Sequence, residues 1–253
     1  MNHLSFSQID RYRKCGRQYA FIYLEGLRMP PGIALVKGSA VHRGIEYNSL
    51  YKVATREEMK RSDVVDYTVS EFEKRMSEEE VVVKDGEDPG AAKDSCVNLI
   101  DLYMGEISPT IQPMHVEAEI ELNIDGVLPI KTVIDCIDDD ERIRDYKTTG
   151  KSKTQADIDN SLQMDIYAMA YHQKFGHWAI GSSLDVLVET KTPKYQRLDT
   201  VATVESVARA ENIIRAVQSG IEKQAFGPAP EGAWWCGSKF CGFWSRCEFG
   251  GKR

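Results

Sequence analysis

The chain has 253 residues, of which 42% are hydrophobic and 28% are charged, and its formal net charge is −7. This composition is typical of a folded globular protein and excludes disordered, collagen-like and coiled-coil chains. No apolar run reaches the ~18 residues needed to cross a bilayer, and the opening segment is polar and basic, so we expect a cytoplasmic protein without a signal peptide or membrane contact.

The charge is unevenly distributed along the chain. Residues 1–60 carry 10 basic and 5 acidic side chains, residues 61–141 carry 6 and 22, and residues 142–253 carry 16 and 12. Screening limits the reach of a charged patch to about 10 Å at ordinary salt, so an acidic chain can still present a basic face. The net charge therefore does not exclude a nucleic-acid partner.

Helices are predicted for most of the first 110 residues. Ser5 and Gln8 form a capping box, and apolar side chains then recur at helical spacing until Gly26, which predicts a helix over residues 5–25. Three further helices are predicted over residues 37–53, 57–79 and 90–107. This part of the chain should therefore be mainly α-helical.

The pattern changes after residue 110 to one typical of strands. Alternating and β-branched residues predict a three-stranded meander over residues 114–147, with strands at 115–124, 128–137 and 143–147. Thr154 and Asp157 cap a long predicted helix that ends at Gly176. Two strands at 182–190 and 195–201 and a helix at 204–224 follow. The class is therefore α/β (α+β), with the sheet built mainly from residues 114–200.

The first chemical candidate is the pair Asp145 and Lys147, because side chains two apart on a strand point to one face. Alone the pattern is weak, since the same spacing occurs at Glu58 and Glu189 and a surface ion pair is a sufficient explanation. Asp135 adds to it, because an acid within the otherwise apolar strand VIDCI is costly unless it is paired or coordinates a cation.

A hairpin between these strands would bring Asp135 and Asp145 together. Two carboxylates are hard oxygen donors of the kind that Mg²⁺ or Mn²⁺ prefers. Lys147 beside them could position or deprotonate the attacking water and offset charge in the transition state. The combination suits hydrolysis of a phosphodiester, and an ion pair without a catalytic role is the alternative.

Two helical motifs accompany this pair. Gly38, His42 and Glu46 lie four residues apart on one helical face, and Gln163 and Tyr167 do the same on the helix after the lysine strand. Taken in chain order with LSFSQIDRYRKCGRQY and the terminal cysteines, these segments resemble the RecB-like branch of the PD-(D/E)xK nuclease superfamily. That branch includes the iron-sulfur nucleases of CRISPR adaptation, AddB-type helicase-nucleases and phage exonucleases.

The resemblance implies a restriction-endonuclease-like core, in which a central mixed sheet is flanked by helices. It implies a single nuclease domain over residues 1–253, made of a mainly helical portion (1–110), the catalytic sheet and helix (111–202) and a C-terminal helix with a cysteine cluster (203–253).

The resemblance also implies roles for individual residues. His42, Asp135 and Asp145 would be ligands of a divalent metal, together with the main-chain carbonyl of Tyr146. Lys147 would be the catalytic lysine. The RecB-type motif residues Gln163 and Tyr167 would support the site and contact DNA. Glu46, Glu117 and Glu119 are weaker candidates, and the two strand glutamates are expected to be exposed.

Three cysteines near the C-terminus, Cys236, Cys241 and Cys247, have the spacing C-x4-C-x5-C. A [4Fe-4S] cluster needs four thiolates, and the resemblance implies that Cys15 is the fourth, so that the cluster joins the two ends of the chain. Zinc also accepts four thiolates and remains the alternative. Cys96 and Cys136 are expected to be buried thiols outside any metal site.

The function implied is that of a metal-dependent DNA nuclease, with exonuclease action on DNA ends in recombination, repair or phage DNA metabolism favoured. Single-stranded DNA or duplex with ends would be the substrate, and a helicase, recombinase or CRISPR-adaptation protein a possible partner. Two alternatives stay open: a DNA-binding adaptor subunit that keeps the nuclease fold with little activity, and a structure-specific endonuclease.

Overall fold

The computed structural model describes residues 2–250 and contains one six-stranded mixed sheet flanked by helices. The strands are β1 (Leu4–Ser5), β2 (Pro113–Leu122), β3 (Ile130–Asp138), β4 (Arg142–Thr149), β5 (Gly181–Val188) and β6 (Lys194–Thr200). The α-helices are α1 (Phe6–Lys14), α2 (Gly16–Tyr19), α3 (Ile33–Thr55), α4 (Arg61–Glu78), α5 (Pro89–Leu102), α6 (Gln155–Asp159), α7 (Leu162–Phe175) and α8 (Val204–Glu222). The predicted class, a mixed α/β fold with a central mixed sheet between helices, is confirmed.

The chain forms two compact units. The terminal unit comprises residues up to 29, residues 121–132 and residues from 204 onward, and the central unit comprises residues 30–120 and 133–203. The sequence prediction of one nuclease domain in three successive parts stays a prediction. In residues 2–250, no helix is both long and apolar enough to cross a membrane.

The sheet follows the order β1-β3-β4-β5-β6, and β2 also pairs with β3. β3 and β4 are antiparallel, as the predicted hairpin requires, whereas β4 and β5 run parallel along their full lengths. α6 and α7 provide the crossover between those two parallel strands. All eight residues of β5 are buried, which explains why its sequence GSSLDVLV does not alternate.

In the central unit, α3 packs closely on both its neighbours. A Cβ at Gly44 would lie 2.0 Å from Thr68 Oγ1 on α4, and a Cβ at Gly38 would lie 3.1 Å from Thr148 Oγ1 on β4. A side chain at Gly44 would need Thr68 to shift, and the close approach at Gly38 places α3 against the strand that carries Asp145 and Lys147. The core around α3, α4 and α5 also contains Cys96 and Cys136, both fully buried as expected.

The structure corrects two predicted helices. The helix expected over residues 5–25 breaks at Cys15, whose backbone is extended (φ −166°, ψ 106°) and whose thiol accepts a hydrogen bond from the Gln18 N–H. The helix expected from Thr154 to Gly176 breaks at Asn160, and Ser161 caps a new helix. In both places a side chain at the break accepts a hydrogen bond from a free N–H group in the first turn of the next helix. A new helix can therefore begin at once, and the apolar periodicity continues through the break.

Candidate active site

Asp135 and Asp145 lie on the adjacent antiparallel strands β3 and β4. The register pairs Cys136 with Arg144, which makes Asp135 and Asp145 the next opposed residues. The Asp135 Oδ2 accepts a hydrogen bond of 2.9 Å from the Tyr146 N–H. The Asp135 side chain thus connects β3 to β4 just beyond the Cys136–Arg144 pair. Asp135 and Asp145 lie opposite each other at this position.

Lys147 lies on the same face of β4 as Asp145. Its Nζ is 3.0 Å from Asp145 Oδ1 and 2.9 Å from Oδ2. The Asp145 side chain is fully buried, whereas 40% of the Lys147 side chain is exposed. The ammonium group is therefore anchored to a buried acid while it remains accessible to a substrate.

The motif on α7 reaches the same carboxylate. Gln163 Nε2 donates to Asp145 Oδ1 at 3.0 Å and to the Tyr167 hydroxyl at 2.7 Å. Gln163 and Tyr167 are one helical turn apart, so a single amide bridges both neighbours. Gln163 thus contacts the carboxylate directly, and the role of the motif in supporting the site and contacting DNA stays a prediction.

His42 on α3 approaches the acids from another side. Its Nδ1 is 3.8 Å from Asp135 Oδ2. Burial, with a further contribution from the positive charge of Lys147, lowers the pKa of His42 and favours the neutral imidazole that a metal ligand requires. The structure brings together all the residues proposed from the sequence for the metal site: His42, Asp135, Asp145 and Tyr146.

Glu117, a weaker candidate expected to be exposed, is exposed and lies near the charges of Asp135 and Glu46. Its backbone has a φ of 47°, a value that is strained for a residue other than glycine. The side chain is solvent-accessible, yet partial burial and then the charges of Asp135 and Glu46 raise its pKa to about 7. The strand pattern could not reveal this conformation, because it depends on local backbone geometry.

The carboxylates of this site resist ionisation. Burial raises the pKa of Asp145 to about 6, with Lys147 opposing the shift and Asp135 adding to it. Burial also raises the pKa of Asp135. Packed acids with elevated pKa values are typical of a site that holds a cation, because a cation removes their repulsion.

The donor chemistry of this group fits a divalent ion. Asp145 Oδ2 is buried and lacks a hydrogen-bond partner, since its contact with Lys147 has no hydrogen-bonding geometry at that oxygen. Within residues 2–250, no group of three or more His, Cys, Asp or Glu side chains is arranged to hold a metal ion. Asp135 and Asp145 nevertheless supply carboxylate oxygens, the hard donors that Mg²⁺ prefers and commonly supplements with water or substrate oxygens.

The terminal unit gathers a second group of functional candidates. One apolar cavity is lined by four cysteines together with Phe21, Ala229 and Phe243; the cysteines are Cys15, Cys236, Cys241 and Cys247. Gln18 donates to two of the sulfurs, from its main-chain N–H to Cys15 at 3.4 Å and from Nε2 to Cys241 at 3.3 Å. The four thiols surround one space but do not converge as ligands of a single ion would.

The family model of the PD-(D/E)XK nuclease superfamily matches residues 3–248. The chain belongs to this superfamily. The match covers both the carboxylate site and the four cysteines of the cavity. Its members are nucleases that typically use divalent metal ions, and nucleic acid is their substrate class.

Two solved structures illustrate the fold relationship. A crystal structure from Eubacterium rectale, provisionally named as an exonuclease, has a TM-score of 0.62 at 12% identity, covering 91% of this chain and 85% of that one. This likeness shows the shared fold. The crystal structure of SSO0001 covers 92% of this chain and 94% of that one at 15% identity, but its TM-score of 0.37 is too low to support an argument. A comparison with curated proteins gives no significant match.

Proposed function

We propose that the chain is a Mg²⁺- or Mn²⁺-dependent deoxyribonuclease that acts as an exonuclease on DNA ends. The observation that carries this proposal is the contact of Asp145 with both Lys147 and Gln163, directly opposite Asp135. The metal would be held by the side chains of Asp135, Asp145 and His42 and by the Tyr146 carbonyl.

Each side chain of the site has a part in this reaction. A bound divalent ion would supply Lewis acidity, activating water and neutralising charge on the phosphate. The Tyr146 N–H holds Asp135, and Gln163 holds Asp145, so the two carboxylates keep a fixed orientation. The exposed ammonium of Lys147 donates to the attacked phosphate and offsets the charge that develops there. Water adds its oxygen to phosphorus and gives up one proton, one P–O ester bond breaks, and the departing oxygen takes up a proton.

Action on ends is supported by the resemblance to the RecB-like branch and by the provisional exonuclease name of the structural neighbour. Recombination, repair or phage DNA metabolism would be the setting, in the cytoplasm, with a helicase, recombinase or CRISPR-adaptation protein as partner. A DNA-binding adaptor with little activity and a structure-specific endonuclease are the competing functions.

We also propose that the four-cysteine cavity, formed by Cys15, Cys236, Cys241 and Cys247, holds a [4Fe-4S] cluster. A [4Fe-4S] cluster needs four thiolates, and these four cysteines line one cavity. The two Gln18 donors would stabilise thiolates, as hydrogen bonds to cluster sulfurs commonly do. Its role would be structural.

The decisive experiment is cleavage of end-labelled linear DNA and of circular DNA by anaerobically purified protein. Mn²⁺ or Mg²⁺ is compared with EDTA, and Lys147→Ala is compared with Lys174→Ala, a matched change at an exposed lysine on α7. Metal-dependent loss of linear DNA with the wild type and Lys174→Ala, but not with Lys147→Ala, is the expected result.

The outcomes separate the three functions. Circular DNA left intact agrees with an exonuclease, whereas cutting of circles indicates an endonuclease. A folded, metal-supplied protein that binds DNA but cleaves neither form would overturn the nuclease proposal and favour the adaptor.

A further inference from the structure

A row of exposed side chains continues along α3 from the candidate active site. Arg43, Tyr47, Leu50 and Tyr51, which we call the α3 stripe, recur at the spacing of one helical face. Leu50 is 50% exposed, Tyr47 is 37% exposed and Tyr51 is 36% exposed. Exposed apolar groups grouped beside a polar cleft are typical of a binding surface rather than of a core.

The α3 stripe lies beside the site rather than within it, because Tyr47 is about 140° around the helix from His42 at 3.6 residues per turn. Tyr47 follows Glu46, the residue one turn beyond His42, and lies about 7.5 Å further along the helix axis than His42 at 1.5 Å per residue. Arg43 forms an ion pair with Glu46 and keeps 53% of its own side chain exposed. A strand leaving the carboxylates along α3 would meet a guanidinium group and then an aromatic ring.

Tyr47 is held in place by another aromatic ring. It stacks on Tyr67 of α4 with ring centroids 4.2 Å apart and planes inclined by 26°. Tyr67 is half-buried, so the pair presents the more exposed Tyr47 to solvent. A preorganised ring can accept a further planar group without the entropy cost of ordering the side chain.

The charge of the central unit favours an unpaired strand as the occupant. Residues 30–120 and 133–203 carry 19 basic and 30 acidic side chains. Duplex DNA carries one negative charge per ~1.7 Å of axis, twice the density along either strand, so an acidic surface repels it more. Unpaired bases also expose the faces that stack on aromatic side chains, and a duplex buries those faces.

We propose that the α3 stripe binds unpaired nucleotides of the DNA strand being hydrolysed, with one base stacked on Tyr47. This inference rests on the proposed nuclease function and gives its substrate class: single-stranded DNA, or a duplex end with unpaired nucleotides. The exposed Arg43 would contact a phosphate of the same strand.

The test measures equilibrium binding of fluorescent oligonucleotides by anisotropy in EDTA, which prevents cleavage. Wild-type protein is titrated with a single strand, a duplex of equal length and a single strand that lacks bases. The single strand should bind most tightly, and removal of its bases should weaken binding roughly 5- to 100-fold, the usual effect of losing base stacking.

Variants at one position then assign the effect to the ring. Tyr47→Ala should lose the same roughly 5- to 100-fold for the single strand, whereas Tyr47→Phe, which keeps the ring, should stay within about twofold. For the strand without bases, Tyr47→Ala should bind as the wild type does. Equal affinities of wild-type protein for strands with and without bases would overturn the inference without any variant.

This experiment distinguishes the inference from the function on which it rests. Base-dependent binding through Tyr47, with no cleavage when Mn²⁺ is supplied, would contradict the nuclease proposal and support the binding of unpaired nucleotides by the α3 stripe. Metal-dependent cleavage by a protein whose Tyr47→Ala variant binds single strands as tightly as the wild type would support the nuclease proposal. It would contradict the binding of unpaired nucleotides by the α3 stripe.

Discussion

Replacing Asp145 by asparagine should stabilise the metal-free protein while it removes the response to metal. Burial raises the pKa of Asp145 from 3.8 to about 6, so ionisation of this carboxyl at neutral pH costs about 3 kcal/mol of folding free energy. Asparagine has nearly the same shape and needs no ionisation. The cost is therefore relieved in the variant.

Part of this gain is lost to hydrogen bonding. The asparagine Oδ1 can still accept from Gln163 or Lys147, but its amide group would lie where the second carboxylate oxygen stands, 2.9 Å from the Lys147 Nζ. The 40% exposure of Lys147 leaves its ammonium partly hydrated, so loss of the ion pair costs less than it would for a buried cation. We expect a net stabilisation of about 1 to 2 kcal/mol, or roughly 2 to 8 °C in Tm for a chain of this size.

The assay is thermal unfolding in EDTA and in Mn²⁺, for the wild type, Asp145→Asn and the control Asp140→Asn. Asp140 is exposed on the β3–β4 turn and should leave both melting curves unchanged. Mn²⁺ should raise the Tm of the wild type and of Asp140→Asn but not of Asp145→Asn. A lower Tm for Asp145→Asn in EDTA would show that the buried carboxylate does not destabilise the metal-free protein. An undiminished rise in Tm with Mn²⁺ would show that Asp145 does not bind the metal.

Three further predictions concern the carboxylate site and the cysteine cavity. Lowering the pH from about 8 to about 5 should reduce the rise in Tm caused by Mn²⁺. Protons compete with the metal for Asp145 and Glu117, whose pKa values lie at about 6 and about 7. An equal rise at both pH values would contradict this prediction. In EDTA the same raised pKa values give the native state more protons than the unfolded state, so these groups should contribute less stability as the pH rises through that range. Gln163→Ala should weaken Mn²⁺ binding about 10- to 100-fold in calorimetry, because the Asp145 carboxylate loses the amide that orients it. Unchanged affinity would show that Gln163 does not orient the carboxylate for metal binding. Cys241→Ala should abolish absorption near 400 nm in anaerobically purified protein. The control Cys96→Ala, a change at a buried core thiol, should retain this absorption. Absorption retained by Cys241→Ala would refute the cluster.

Much of the candidate site followed from short-range patterns. Asp145 and Lys147 share a face because side chains alternate on every strand, whatever the fold around them. Gln163 and Tyr167 are neighbours because four residues make one helical turn. The hairpin that opposes Asp135 and Asp145 needed only two strand patterns and a short turn between them.

Other features could not be predicted from such patterns. The break at Cys15 occurs inside a continuous apolar periodicity, where a thiol cap competes locally with the helix. The positive φ of Glu117 and the acidic surroundings that raise its pKa depend on which chain segments pack around β2. The periodicity indicated neither feature, because it does not register a local cap such as that of Cys15 and does not report the neighbours that β2 acquires in the fold.

Residues a few positions apart are enough to indicate the secondary-structure class, the capping boxes at Ser5 and Thr154 and the pairing of Asp145 with Lys147. Only the folded chain shows that α3 packs on β4 at Gly38 and on α4 at Gly44, and that His42 lies 3.8 Å from Asp135. It also shows the stacking of Tyr47 on Tyr67 from two separate helices. These arrangements depend on the steric fit of surfaces distant in the chain, and close packing selects among the many pairings that local patterns permit.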